Sequence, residues 1–264
     1  AKVEWKEQRF LLNSIMKIKT ILTLILMTIP LNVYGNFLKL NTPAKQVILY
    51  DHELKKVLFE KNSNDIMKPA SMAKIMTAYI VFDRLQEGSL NLDDTFVVSK
   101  NAWQKGGSRT FLKLNSEVTI RDLLMGLIVQ SGNDAAIVLA EGIAGSEEDF
   151  AIQMNQYANS LEMKNTYFTN STGWPHEDLK TTAYDLIILT EALINNFPKL
   201  YKLFVEKEFT FNNIRQPNRN PLLIGRYKVP GADGLKTGHT NESGYGLIGS
   251  CLLYTSDAAD DPTC

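Results

Sequence analysis

A serine and a lysine three residues apart, in Ser71-Met-Ala-Lys74, could act as a nucleophile and its base. Side chains at positions i and i+3 lie on one face of a helix, so the hydroxyl and the amine would be neighbours. The amine could take the hydroxyl proton if burial or a nearby cation lowers the lysine pKa, and a helix N-terminus would favour negative charge on the serine oxygen. The pair therefore predicts nucleophilic catalysis without histidine, although the same spacing recurs at Ser14 and Lys17.

Two further short motifs carry polar side chains suited to the same chemistry. In Ser131-Gly-Asn133, a second hydroxyl can relay a proton to a leaving group, and the amide can hold a substrate carbonyl. In Lys236-Thr-Gly238, a lysine and a hydroxyl on a strand can bind a carboxylate, and the glycine lets a substrate backbone approach closely. Serine and asparagine stand two apart elsewhere too, for example at 89–91, so neither motif decides the function alone.

The elements predicted around these motifs come in the order strands, helices, strands. Apolar runs at 46–51 and 56–60, separated by a charged turn, predict a β-hairpin. Helical spacing of apolar residues begins at Pro69 and stops at Gly88. Further helices are predicted after the capping residues Thr119, Ser146 and Thr182 and over 134–144, and further strands over 208–211, 234–239 and 244–250. This order predicts an α+β fold rather than repeated βαβ units.

The three motifs fall on different elements in one consistent order. Ser131 follows Ser71 by 60 residues, and Lys236 follows Ser131 by 105. The first motif lies at a helix start, the second in a helix–helix loop and the third on a strand. Agreement in residue type, order and placement is improbable by chance. The motifs together therefore predict a single active site.

Composition excludes several other classes of protein. The chain has 264 residues, 28 Lys and Arg against 29 Asp and Glu, and 44% hydrophobic residues. The formal charge of -1 excludes a dedicated nucleic-acid binder, and the hydrophobic content excludes a disordered chain. No apolar run reaches the ~20 residues that a membrane-spanning helix needs. Because Cys251 and Cys264 both lie near the C-terminus, no disulfide framework or zinc ribbon can be built.

The motifs resemble the S-x-x-K, S-x-N and K-T-G motifs of penicillin-binding proteins and serine β-lactamases. Over about 47–250, the flanking residues are similar to those of one branch, the D-alanyl-D-alanine carboxypeptidases. The flanks are Lys68-Pro-Ala-Ser71-Met-Ala-Lys-Ile-Met-Thr77, Gln130-Ser-Gly-Asn-Asp-Ala135 and Asp233-Gly-Leu-Lys-Thr-Gly-His-Thr240. The resemblance implies an α+β fold of the β-lactamase and transpeptidase type, with an antiparallel sheet packed with helices and a mainly helical subdomain.

The resemblance also implies a role for each residue, in a serine peptidase that removes the terminal D-alanine from peptidoglycan stem peptides. Ser71 is the nucleophile that becomes acylated, Lys74 is the general base, and Ser131 with Lys236 passes a proton to the departing D-alanine. Thr237 binds the terminal carboxylate, and the backbone N–H groups of Ser71 and His239 form an oxyanion hole. The implied substrate-binding residues are Asn133, Lys236, Thr237, Gly238 and His239. The resemblance implies no metal, no cofactor and no nucleic-acid partner, and it implies covalent inhibition by β-lactams.

Two alternatives stay open at this point. A D,D-endopeptidase would cut peptidoglycan crosslinks with the same residues, and an inactive wall-binding fragment would keep the motifs without turnover. A class A β-lactamase is disfavoured, because the segment Glu177-Asp-Leu-Lys180 lacks the asparagine of that family's E-x-x-L-N motif.

Both ends of the chain are predicted to lie outside the catalytic domain. Residues 1–15 precede the first methionine and are expected to be non-native translation. Residues 16–35 join a positive flank to a short apolar stretch, which predicts a secretory signal peptide and a periplasmic or cell-envelope location; a buried N-terminal helix is the alternative. Residues 251–264 resemble a translated sequencing adapter, with a natural acidic tail as the alternative. The D,D-peptidase domain is therefore expected over 36–250, truncated at its C-terminal part, and membrane anchoring would depend on the missing part.

Overall fold

The strands of the computed structural model, which describes residues 40–252, form antiparallel pairs. Within these residues there are four two-stranded sheets. The pairs are β1 (Val47–Asp51) with β2 (Lys56–Lys61), β3 (Thr95–Val97) with β4 (Glu117–Thr119), β5 (Glu208–Phe211) with β6 (Ile214–Pro217), and β7 (Ala232–Thr240) with β8 (Gly244–Cys251). The predicted first hairpin and the predicted strands near the C-terminus are confirmed.

Helices fill the middle of the chain. They are α1 (Lys74–Glu87), α2 (Lys100–Gln104), α3 (Ile120–Val129), α4 (Asn133–Ala144), α5 (Glu147–Ser160), α6 (Ala183–Asn196) and α7 (Pro198–Tyr201), with 3-10 turns at Ala70–Ala73, Lys202–Val205 and Gly225–Tyr227. Helices and antiparallel strands together confirm the predicted α+β class. Among residues 40–252, no helix has both the length and the apolar character required to cross a membrane.

The hydrophobic core is built around α1. Its residues Ile75, Met76, Ile80 and Phe82 are fully buried, and they lie on more than one side of the helix. A helix that is apolar on most sides must be enclosed by other elements, and α1 accordingly packs against α3, α4, α5 and α6. The residue that follows the Ser71 turn, Lys74, therefore begins a helix that four other helices enclose.

Helix ends follow the local signals in the sequence. Thr119, Ser146 and Thr182 each accept a hydrogen bond from the backbone N–H three residues later, at 3.1, 3.0 and 3.0 Å. Each bond satisfies an N–H group that the helix itself leaves free. Gly88 and Gly145 end α1 and α4 with φ of 75° and 85°, in the left-handed region that glycine adopts most easily. The predicted caps are confirmed.

One local prediction needs correction, and two further features were not predicted. The turn that carries Ser71 is a 3-10 turn, and the α-helix begins only at Lys74. The chain after Pro198 first forms α7 and a 3-10 turn, because Pro198 occupies the first helical turn, which proline favours, and β-structure resumes at Glu208. The pairing of β3 with β4 was not predicted, since strands of three residues are too short to show a periodic pattern.

Candidate active site

Ser71 and Lys74 are brought together by the 3-10 turn at Ala70–Ala73. In a 3-10 helix the side chains at i and i+3 lie directly above one another. Lys74 Nζ accordingly lies 3.1 Å from Ser71 Oγ. Ala70 enters this turn with φ of 48°, a left-handed conformation that costs free energy for a residue with a Cβ. The fold therefore holds the serine and the lysine in contact in a turn that the backbone would not adopt by itself.

Two carbonyl oxygens determine how the Lys74 amine is oriented. Lys74 Nζ donates hydrogen bonds to Asn133 Oδ1 and to Thr172 O, each at 2.7 Å. Ser71 Oγ is the third oxygen near the amine: an ammonium can donate to all three oxygens, whereas a neutral amine that donates to the two carbonyls keeps its lone pair for the Ser71 hydroxyl. Lys74 is only 1% exposed. Burial first, and then the Lys236 charge, hold the pKa of Lys74 well below its usual value.

Ser131 and Lys236 form a second pair of hydroxyl and amine. Ser131 lies between α3 and α4 with φ of 59°, which turns the chain sharply between the two helices. Lys236 Nζ donates to Ser131 Oγ at 2.8 Å and to Thr237 O at 3.0 Å. Burial, and then the nearby Arg219 charge, lower the pKa of Lys236 to about 7. Because the Ser131 oxygen accepts from Lys236, the Ser131 hydroxyl keeps its own proton available to donate.

Asn133 is held by the loop that precedes α3. Its Nδ2 donates to Gly106 O at 2.8 Å, and its backbone N–H donates to Ser108 O at 2.8 Å. With Oδ1 accepting from Lys74, the amide has one orientation that satisfies all of these bonds. Asn133 thus links the amine of the first motif to the loop at residues 106–108.

The third motif forms one wall of the same cavity. Thr237, Gly238 and His239 on β7 line a cavity of about 1550 Å³ together with Ser71 and Ser131. A Cβ on Gly238 would lie 2.9 Å from Pro69 O. The prediction that this glycine admits a substrate backbone is untested, but the structure shows that it lets β7 approach the Ser71 turn.

All eight residues predicted for the site therefore lie in one cluster, either lining the cavity or bonded to a residue that does. The prediction missed three groups in it: the carbonyls of Thr172 and Gly106, and the side chain of Arg219. Every residue has a carbonyl, so no sequence pattern could have indicated the first two. Within residues 40–252, no three His, Cys, Asp or Glu side chains are grouped so that they could hold a metal ion.

A family model described as D-alanyl-D-alanine carboxypeptidase matches residues 37–257. The chain belongs to the D-alanyl-D-alanine carboxypeptidase family. It is 44% identical over 213 residues to D-alanyl-D-alanine carboxypeptidase DacC of Escherichia coli, covering 78% of this chain and 53% of that protein. The chain thus spans about half the length of this relative of the family.

Solved structures place this member of the family in the predicted fold. Penicillin binding protein 5 from Haemophilus influenzae superposes with a TM-score of 0.77 and 38% identity, over 81% of this chain and 64% of that one. Penicillin-binding protein D2 from Listeria monocytogenes, in an ampicillin-bound form, superposes with a TM-score of 0.73 and 28% identity, over 81% of this chain and 86% of that one. The fold predicted from the three motifs is therefore confirmed.

Proposed function

We propose that this chain is the catalytic part of a serine-type D-alanyl-D-alanine carboxypeptidase acting on peptidoglycan stem peptides. The observation that supports it most is the environment of Lys74. Its amine lies 2.7 Å from Asn133 Oδ1 and from Thr172 O and 3.1 Å from Ser71 Oγ, so the neutral form can donate to the two carbonyls and accept from the serine hydroxyl. A buried lysine with a lowered pKa at this distance from a serine hydroxyl is suited to act as the general base for that nucleophile.

Acylation follows from this arrangement. Ser71 Oγ attacks the carbonyl carbon between the two terminal D-alanines, and Lys74 Nζ takes the hydroxyl proton. Negative charge then develops on the carbonyl oxygen, which the backbone N–H groups of Ser71 and His239 are proposed to stabilise. When the C–N bond breaks, the amide nitrogen of the leaving D-alanine takes a proton from Ser131. Lys236, bonded to Ser131 Oγ, returns a proton from its ammonium form to that oxygen, so the hydroxyl is restored.

The cavity has groups suited to a terminal carboxylate. Thr237 and Arg219 line it, and the Lys236 amine is bonded to Ser131, which also lines it. Arginine binds carboxylates through a planar pair of N–H groups, and a lysine ammonium adds a point charge. A free C-terminal D-alanine is therefore the substrate end that this cleft fits, and water completes the reaction by hydrolysing the acyl-enzyme.

The setting proposed for this activity is the bacterial cell envelope. Residues 36–250 would form the D,D-peptidase domain. Residues 16–35 would form a signal peptide, and they lie outside the described residues. β-Lactams are proposed as covalent inhibitors, a proposal that the ampicillin-bound form of the Listeria monocytogenes relative supports.

The test is the intact mass of the protein before and after benzylpenicillin, with Ser71→Ala in parallel. We expect one adduct on the unaltered protein and none on the variant. An adduct that persists in Ser71→Ala would disprove the assignment of the nucleophile. Incubation with a D-alanyl-D-alanine peptide and with crosslinked peptidoglycan then separates the activities: D-alanine release supports the carboxypeptidase, and crosslink cleavage alone would establish the endopeptidase instead.

A further inference from the structure

The segment 171–173 lies directly against the turn and helix that carry Ser71 and Lys74. Thr172 O accepts from Lys74 Nζ at 2.7 Å, and Ser171 O accepts from Thr77 Oγ1 at 2.7 Å. A Cβ on Gly173 would lie 1.8 Å from the carbonyl oxygen of Ala70, so the two backbones are in contact. The position of this segment therefore sets the position of Thr172 O, one of the acceptors that orient the Lys74 amine.

One carboxylate anchors this segment from the other side. Glu147 Oε1 accepts from the backbone N–H of Ser171 at 3.1 Å and from its hydroxyl at 2.6 Å. Glu147 is the first residue of α5, which Ser146 caps. Ser171 is fully buried. In the described part of the chain, no Lys, Arg or His nitrogen forms an ion pair with Glu147 within 4.0 Å. The Glu147 carboxylate is thus not neutralised by a cation in direct contact, and its charge can act on the buried Lys74 amine.

We propose that Glu147 is a positioning residue for Lys74: it fixes the 171–172 segment that orients the amine, and its negative charge acts on that amine through the protein interior. The proposal rests on the function proposed above, in which Lys74 is the base that accepts the Ser71 proton. Glu147 does not touch the reacting atoms, and it acts through Ser171 and Thr172.

The charged groups that face Lys74 come from four parts of the fold. Lys236 on β7 and Arg219 after β6 lower the pKa of Lys74, and Glu147 on α5 and Asp134 on α4 raise it. Burial has the largest effect, Lys236 the next, and Glu147 is the stronger of the two carboxylates. The effect of the two positive charges on the Lys74 pKa therefore exceeds that of the two carboxylates, and Glu147 offsets it more than Asp134 does.

The direction of the effect on pH dependence follows from the proposed mechanism. Lys74 must be neutral to accept the proton, so acylation rises as pH increases through its pKa. Removal of the Glu147 charge destabilises the ammonium form and lowers this pKa. The acid limb of the acylation profile then moves to lower pH. A purely structural role would slow acylation at every pH without moving the limb.

The experiment compares Glu147→Gln with Glu148→Gln. The glutamine keeps an oxygen that can accept from Ser171 and removes the charge. Glu148 is the exposed neighbour in the same helical turn, so it controls for charge near the helix N-terminus. We measure benzylpenicillin acylation rates from about pH 5 to about pH 9, and titrate the lysine Cε resonances by NMR. For Glu147→Gln we expect both the acid limb and the Lys74 titration to fall by about 0.5 pH unit or more, with no shift for Glu148→Gln.

Equal midpoints of the acid limb and of the Lys74 titration in Glu147→Gln and Glu148→Gln would overturn the proposal. If the unaltered protein is not acylated at any pH, the proposed function fails, and the Lys74 titration by NMR still decides the inference. If Glu147→Gln does not fold, Ser171→Ala tests the anchoring of the 171–172 segment, because that variant keeps the Glu147 charge and loses the 2.6 Å hydroxyl bond. Slower acylation with an unmoved acid limb supports this anchoring, and an unaltered rate would overturn the proposal.

Discussion

Lys236 Nζ donates a hydrogen bond to Ser131 Oγ at 2.8 Å, although 105 residues separate them in sequence. The strand β7 brings the amine to the loop between α3 and α4, where Ser131 has a left-handed backbone with φ of 59°. Because the hydroxyl oxygen accepts from Lys236, its own proton is free to be donated into the cleft. The Ser131 hydroxyl takes no part in the hydrogen bonds of Lys74, so its role can be tested separately.

Loss of the Ser131 hydroxyl should slow acylation without preventing substrate binding. We expect Ser131→Ala to lower kcat for D-alanine release by about 100-fold, because proton transfer to the leaving nitrogen loses its donor. Ser131→Gly is the matched control: glycine adopts the left-handed conformation easily, so it removes the hydroxyl without backbone strain. Equal losses of kcat assign the effect to the hydroxyl. Recovery of activity in Ser131→Gly would show that backbone strain, not proton transfer, limits the alanine variant.

Substrate affinity should depend on the protonation of Lys236. Its pKa is lowered to about 7 by burial and by Arg219, so the ammonium that attracts a carboxylate is lost as pH rises through that value. We expect KM for a D-alanyl-D-alanine peptide to rise as pH increases above neutral. The same peptide with an amidated C-terminus has no carboxylate to attract, and its KM should stay constant. Identical pH dependence of KM for the two peptides would contradict the assigned role.

Most of the fold was predictable because its signals are local. The caps at Ser146 and Thr182 and the stop at Gly88 depend on residues within one turn, and the structure contains each of them. The contact between Thr172 O and Lys74 depends on a segment 98 residues away and on a backbone atom that carries no sequence signal. The same holds for Glu147 and Ser171, whose pairing only the assembled fold reveals. Side-chain chemistry was thus predictable, and the groups that orient it were not.

The buried carboxylate of Asp134 should contribute strongly to stability. It accepts from the backbone N–H of Thr110 at 2.8 Å and of Leu112 at 3.2 Å, and it is fully buried. Asp134→Asn leaves a buried N–H without an acceptor, which costs about 2 kcal/mol and lowers Tm by about 4–8 °C. Asp93→Asn is the control, since its side chain is 90% exposed, and we expect a change within about 0.5 kcal/mol. Equal Tm values for the two variants, measured by calorimetry, would show that other contacts hold the loop at residues 110–112.

The close approach of β7 to the Ser71 turn requires glycine at position 238. A Cβ there would lie 2.9 Å from Pro69 O, a backbone atom that cannot move without the turn. Gly246 pairs with Gly238 across the hairpin, and a Cβ on it would meet Met72 Cε at 2.6 Å, the flexible end of a side chain. We therefore expect Gly238→Ala to slow benzylpenicillin acylation by about 10-fold to 100-fold, because β7 must move away from Ser71. Gly246→Ala should be acylated at nearly the unaltered rate, since Met72 can change rotamer. Similar rates for the two variants would mean that the strand and the turn can separate without disturbing the nucleophile.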